Sequence, residues 1–132
     1  FHGSKMEISQ IDEALRERLG TAASSQQDWT FVDQYLSTGG QIYELAMGHD
    51  RFIADLRALF HAENNDPLCC HPYDLCTAKI ASNTGAILTD AHNQPLSFPL
   101  DLTSNIDWIG YANAALHDHV SPALMEILSE RS

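Results

Sequence analysis

Apolar residues recur along this chain with two periods that take turns, and the alternation predicts its elements. Ile8, Ile11, Leu15 and Leu19 fall three or four residues apart, on one side of a helix that Ser9 can cap and Gly20 can end. A small, polar stretch at residues 21–27 reads as a loop. Trp29 to Leu36 then switches to the two-residue alternation of a half-buried strand. Ser37-Thr38-Gly39-Gly40 reads as the turn into a second helix, which carries Ile42, Leu45 and Ala46 and stops at Gly48. Phe52 to Leu56 is the next expected strand.

A polar, turn-rich segment at residues 61–67 separates that strand from Asp74, which stands where a helix N-cap belongs. Leu75, Ala78 and Ser82 would face the core behind it, and Gly85 would stop the helix. Ala86 to Thr89 is expected as a short strand, 90–95 as a turn, and 96–103 as an irregular excursion broken by Pro99. Trp108 to Ala112 is apolar enough for a central strand. Asn113 can cap a last helix carrying Leu116, Val120, Leu124 and Leu128, in which Pro122 either kinks the helix or opens a fresh turn. Helices alternating with strands predict an α/β fold, a layered sandwich of a mixed sheet with helices. A single domain over residues 6–132 fits the length. Phe1 to Lys5, ahead of a candidate initiator at Met6, read as vector-derived.

Charge narrows the partners. Seven Lys and Arg against 18 Asp and Glu leave a formal net charge of -11, which repels phosphate backbones and anionic lipid surfaces. Nucleic acid and membrane are therefore not expected as partners. No apolar run approaches the length that spans a bilayer, and three cysteines cannot close a disulfide framework within one chain. A cytoplasmic location is the expectation.

The candidate chemistry gathers in one segment. Cys69, Cys70, His71 and Cys76 are ligand types that zinc favours, but their spacing is not a usual zinc spacing, and adjacent cysteines point in diverging directions. Half-buried thiols are the plainer reading. Asp74 can cap a helix, bind a metal ion, or do both, and one carboxylate alone does not hold magnesium. Ser37, Thr38 and Gly39 read either as a strand-to-helix turn or as one wall of a substrate cleft. His49, His61, His92, His117 and His119 lie among polar residues as surface histidines do, and Trp108 and Tyr111 read as core. No Ser-His-Asp or Cys-His arrangement and no glycine-rich phosphate loop can be read from the spacing.

Six motifs follow one another in a particular order: Ser37-Thr38-Gly39, Ala46-Met47-Gly48, Tyr73-Asp74-Leu75-Cys76-Thr77-Ala78, Asn83-Thr84-Gly85-Ala86, Thr89-Asp90, and Gly110-Tyr111-Ala112-Asn113. Their order from about Trp29 onward resembles the C-terminal half of the inositol monophosphatase family, the magnesium-dependent, lithium-sensitive sugar-phosphate phosphatases. The resemblance implies metal-assisted hydrolysis, with Asp74 at the family's second aspartate motif near the metals and Ser37, Thr38 and Gly39 at the cleft. It also implies what is missing. The family's other metal ligands, a glutamate and an Asp-Pro-Leu/Ile-Asp-Gly-Thr motif, belong to an N-terminal half that this chain does not contain, and after Asp66-Pro67-Leu68 a cysteine, Cys69, replaces the second aspartate.

Two functions are consistent with this. The preferred one is a lobe that is not catalytic alone and acts in binding or assembly. The alternative is a subunit of a magnesium-dependent sugar-phosphate phosphatase, completed by a partner chain that supplies the missing carboxylates. Either leaves a surface that the absent half would have covered, so a homo-oligomer or a covering partner chain is expected.

Overall fold

The computed structural model describes residues 2–20, 37–60 and 68–131, with side chains from Met6 onward. The expected loop at 21–27, the strand at 29–36 and the turn-rich segment at 61–67 lie outside the described residues, as does His61. The described elements are α1 (His2–Leu19), α2 (Thr38–Ala46), β1 (Phe52–Asp55), α3 (Arg57–Phe60), a 3-10 helix (Pro72–Leu75), α4 (Ala78–Asn83), β2 (Ile87–Thr89), β3 (Trp108–Tyr111) and α5 (Ala114–Arg131).

The fold is α/β, built around a three-stranded sheet in the order β1-β3-β2. The sheet is antiparallel at both pairings rather than mixed. Ile53 and Leu88 both face Gly110 across β3, and Phe52 and Ile87 both face Tyr111. The two outer strands run parallel to each other without touching, because α3, the 3-10 helix and α4 carry the chain from one edge of the sheet to the other. The last strand then returns in the opposite direction into the gap. The strand expected at the centre, Trp108 to Ala112, does fill the middle, but alternation of helix and strand does not specify the direction in which it runs, and that is why the expected mixed pairing was not realised.

Strand geometry turns successive side chains to opposite faces, and each face buries its own cluster. On one side Ile109 and Tyr111 pack with Ile11 and Leu15 of α1 and with Val120, Leu124 and Ile127 of α5. On the other, Trp108 and Leu88 pack with Ile42 and Leu45 of α2, Leu75 of the 3-10 helix and Ala81 of α4. Full burial of one such side chain stabilises by about 1.5–3 kcal/mol, so the two clusters are what hold the layers to the sheet. Gly110 lies on the α2 side, where a β-carbon would stand 2.5 Å from the Leu45 Cδ2 methyl. The missing side chain is what lets α2 close down on the central strand.

Several expected ends are where the sequence places them. Asn113 Oδ1 accepts the Leu116 amide at 2.9 Å at the start of α5, whereas the expected turn Ser37-Thr38-Gly39-Gly40 is itself the first turn of α2, with Ser37 as the N-cap accepting the Gly40 amide at 3.1 Å. Gly48 and Gly85 take the positive φ values, 76° and 98°, that follow α2 and α4. The 90–95 turn is held by Asp90, whose Oδ1 accepts the amides of His92 and Gln94. Other boundaries differ. Helix α1 begins at His2, so Ser9 lies inside it and caps nothing; Met6 and Glu7 are good helix formers and a started helix propagates through them. Pro122 sits within an unbroken α5, exposed on its outer side. None of the described helices is long and apolar enough to cross a membrane.

Candidate functional site

The segment from Cys69 to Ala78 is pinned by two connections to the rest of the molecule. Cys70 forms a bridge with Ile106, the Ile106 amide donating to the Cys70 carbonyl at 2.8 Å. Just upstream, Arg57 reaches across from the end of β1. Its Nε donates to Asp55 Oδ1 at 2.8 Å, a second guanidinium nitrogen pairs with Oδ2, and Nη1 donates to the Leu68 carbonyl. Asp55 is buried, and this paired guanidinium is what makes its charge tolerable there. The hydrogen bond to Asp55 is also the main cause holding the Arg57 guanidinium above its ordinary pKa.

Proline at position 72 favours a helical start, and the turn it opens is a 3-10 helix, with His71 as the flanking cap residue. Asp74 is therefore the third residue of this turn and not the N-cap of the next helix. It caps backward, its Oδ2 accepting the His71 amide at 2.9 Å while its own amide donates to the His71 carbonyl. Helix α4 begins separately at Ala78 after Thr77. Leu75 is buried and Ala78 packs against the same cluster, but Ser82 is exposed and donates to the Ala78 carbonyl instead of entering the core.

The structure brings part of the expected site together. Thr38, buried at the first turn of α2, has its hydroxyl on the Cys70 thiol, one residue before His71. Ser37 is exposed and its hydroxyl serves as the helix cap, while Gly39 has open space where a β-carbon would be, so no close neighbour requires a glycine there. The three residues thus act as a helix start beside the Cys70–Asp74 segment. Cys69, Cys70 and Cys76 are free thiols. Burial, reinforced by the Asp55 charge, pushes the Cys70 thiol up to about 12, so it stays protonated and is no nucleophile at neutral pH.

His71, which the sequence offered only as one of four zinc-type ligands, is a buried ring. It is 3% exposed, its ring stacks on Tyr73 at 5.3 Å between centroids, and its Nε2 has no hydrogen-bond partner among the described residues. Its Nδ1 lies 3.8 Å from Asp74 Oδ2, beyond hydrogen-bond range. The placement between Cys70 and Pro72, in an apolar run, was the available signal for a buried ring.

Among the described residues, no group of three or more His, Cys, Asp or Glu is arranged to hold a metal ion. Asp74 offers one carboxylate, already engaged with the His71 amide, whereas magnesium asks for several hard oxygens in octahedral array. The residues present do not fit a magnesium ion by themselves, and ligands from elsewhere would have to complete the shell.

What opens beside this segment is apolar. A groove of about 760 Å³ lies between the 3-10 helix and α4 on one side and the 95–102 excursion on the other, with Leu75 and Leu88 among its lining residues. Tyr73 is 54% exposed, Leu102 72% and Leu100 98%. Phe98 and Leu96 line the same wall and are half-buried against the core. Charge at the groove comes from Lys79 on α4 and Asp101 on the excursion. The Ser104 hydroxyl, together with the Ser104 and Thr103 amides, holds Asp101 below the usual carboxylate range, so it is ionised at neutral pH. Cys76 also lines the groove and is exposed. The alternation Phe98, Leu100, Leu102 was visible in the sequence, but with Pro99 in the run it read only as an irregular excursion. The chain matches no protein-family model, no curated protein and no solved structure, so the case for this surface is made by its geometry.

Proposed function

We propose that this chain acts in binding and assembly, as an inositol monophosphatase-like lobe that is not catalytic alone, and that the groove beside Tyr73 is the surface it binds with. The observation that carries the proposal is the concentration of large exposed apolar side chains, Tyr73, Leu100 and Leu102, around a groove of about 760 Å³. Such side chains gathered in one place cost free energy in water and mark interaction sites when contiguous. Asp74 supports the non-catalytic part of the proposal, because its Oδ2 accepts the backbone amide that shapes the groove's wall and, among the described residues, no group of three or more metal-ligating side chains is gathered around it.

The test has two arms. Purified protein titrated with magnesium and assayed against a panel of sugar phosphates is expected to show no turnover. Turnover that disappears in Asp74→Asn would overturn the non-catalytic reading in favour of a phosphatase subunit. In the second arm an uncharged solvatochromic dye is expected to brighten on the wild-type protein and to lose most of that signal in Leu100→Ser. Since Leu100 is almost wholly exposed, the substitution should change stability by no more than about 0.5 kcal/mol. An unchanged dye signal would remove the groove from consideration.

A further inference from the structure

We infer that the occupant of the groove is a basic segment of another protein, presenting apolar side chains flanked by lysine or arginine. The inference rests on the groove being a binding surface and adds what it binds. Two properties select the occupant. The first is volume: about 760 Å³ is several times the size of one side chain, enough for a short run of apolar residues and in the range of preformed ligand clefts.

The second is charge. Lys79 and Asp101 nearly cancel within the groove itself, so the field an approaching partner meets is set by the remainder of the chain, with its net charge of -11. The pairing of Arg16, Arg18 and Arg57 with carboxylates at 3.2 Å or less takes up one charge of each sign per pair and leaves that net charge as it stands. A field of that sign attracts a basic segment and raises its association rate. It disfavours a second copy of the same chain, because each copy carries a net charge of -11. Asp101 adds a local anchor. Its Oδ1 is used by two amides and its Oδ2 by the Ser104 hydroxyl, and the group is ionised at the rim, so a partner's cation can lie against Oδ2 while neighbouring apolar side chains enter beside Leu100 and Leu102.

Cys76 supplies the readout. It is the exposed thiol lining the groove, whereas Cys69 and Cys70 are buried, so its alkylation by iodoacetamide, followed by mass spectrometry, reports occupancy. The probes are an amphipathic leucine–lysine peptide and two counterparts with glutamine or glutamate in place of lysine. The leucine–lysine peptide is expected to protect Cys76 at a concentration lower by about tenfold than the leucine–glutamine peptide, and the glutamate peptide to protect least. The advantage should shrink in 1 M salt, where the screening length falls to about 3 Å. Lys79→Glu should increase the advantage, and Leu100→Ser combined with Leu102→Ser should abolish protection by every peptide.

Equal protection by the lysine and glutamine peptides would overturn the basic partner while leaving the groove as a binding surface. Protection by none of them would overturn the groove and this inference together. Protection that survives the double serine variant would place the basic peptide elsewhere and overturn the inference. Protection that grows with protein concentration alone would assign the groove to a second copy, with the same consequence.

Discussion

The two faces of the sheet are covered in different ways. On the α1 and α5 side the contact is almost wholly apolar, and Ile109, Tyr111 and Leu124 are sealed from water. Among the described residues its buried polar groups are few and include the Tyr111 hydroxyl and Thr89, while its charges stay at the margin, where Arg18 pairs with Glu126 and Glu130 and Arg131 donates to Gln10. On the α2 and α4 side an apolar cluster of similar extent sits beside the buried Asp55 with its half-buried partner Arg57, the Thr38 and Cys70 contact and the buried His71 ring, and beyond them the surface opens into the groove. One face closes the core with two long helices. The other is assembled from short pieces, a nine-residue helix, a 3-10 turn and a six-residue helix, which need polar ties to hold them because each buries little by itself.

Leu124→Ala on the sealed face should disturb this contrast most. A fully buried leucine replaced by alanine should destabilise by about 2–5 kcal/mol in chemical denaturation, with the upper part of that range expected because α1, β3 and α5 meet there and cannot collapse onto the void. A loss below that range would mean that the sealed face is looser than its burial implies. Gly110→Ala attacks the opposite face from the middle of the sheet. The new methyl meets Leu45, which is itself fully packed, so a cost of about 1–3 kcal/mol is expected, together with a change in the environment of Trp108 by fluorescence.

Asp74→Ala removes one tie of the assembled face. It should cost about 1 kcal/mol, the usual worth of a cap, and Asp74→Asn should recover most of it because an amide oxygen can still accept from His71. If the asparagine variant lost as much as the alanine variant, the negative charge and not the hydrogen bond would be what matters at this position.

The smallest effect concerns Asp107, beside the 90–95 turn. Burial, aided by the Asp90 charge, raises its pKa above the ordinary value of 3.8. A carboxyl raised in the folded state holds its proton more tightly there than in the unfolded chain. Its contribution to stability is therefore fully present below 3.8 and is lost as pH rises through the folded value. Asp107→Asn should accordingly stabilise the fold at neutral pH, by under about 1 kcal/mol in chemical denaturation, and the gain should vanish below the ordinary carboxyl range. A gain that persists in acid would locate its origin in packing.

Much of this architecture was legible in the chain. Leu45 and Leu124 announce their helices by spacing, Trp108 to Tyr111 announces the central strand by its uninterrupted apolar character, and Asn113, Gly48 and Gly85 mark helix ends through local backbone chemistry. These features are local, and a sequence carries local information directly. The antiparallel insertion of β3 between strands separated by dozens of residues was not legible, since nothing in either outer strand names its neighbour. The role of Asp74 was half legible. Its residue type and position pointed to capping, but Pro72 moved the helical start upstream, so the carboxylate turned back toward His71 instead of forward into α4.

By itself the sequence determined an acidic chain in which helices alternate with strands, because periodicity, caps and charge are properties of neighbouring residues and of sums over the chain. Only the tertiary structure decided that Thr38 would meet Cys70, that Arg57 would be spent on Asp55 and Leu68, and that Tyr73, Leu100 and Leu102 would border one groove. Those contacts join residues far apart in the chain, and their free energy comes from water excluded between surfaces that do not exist until the chain has folded.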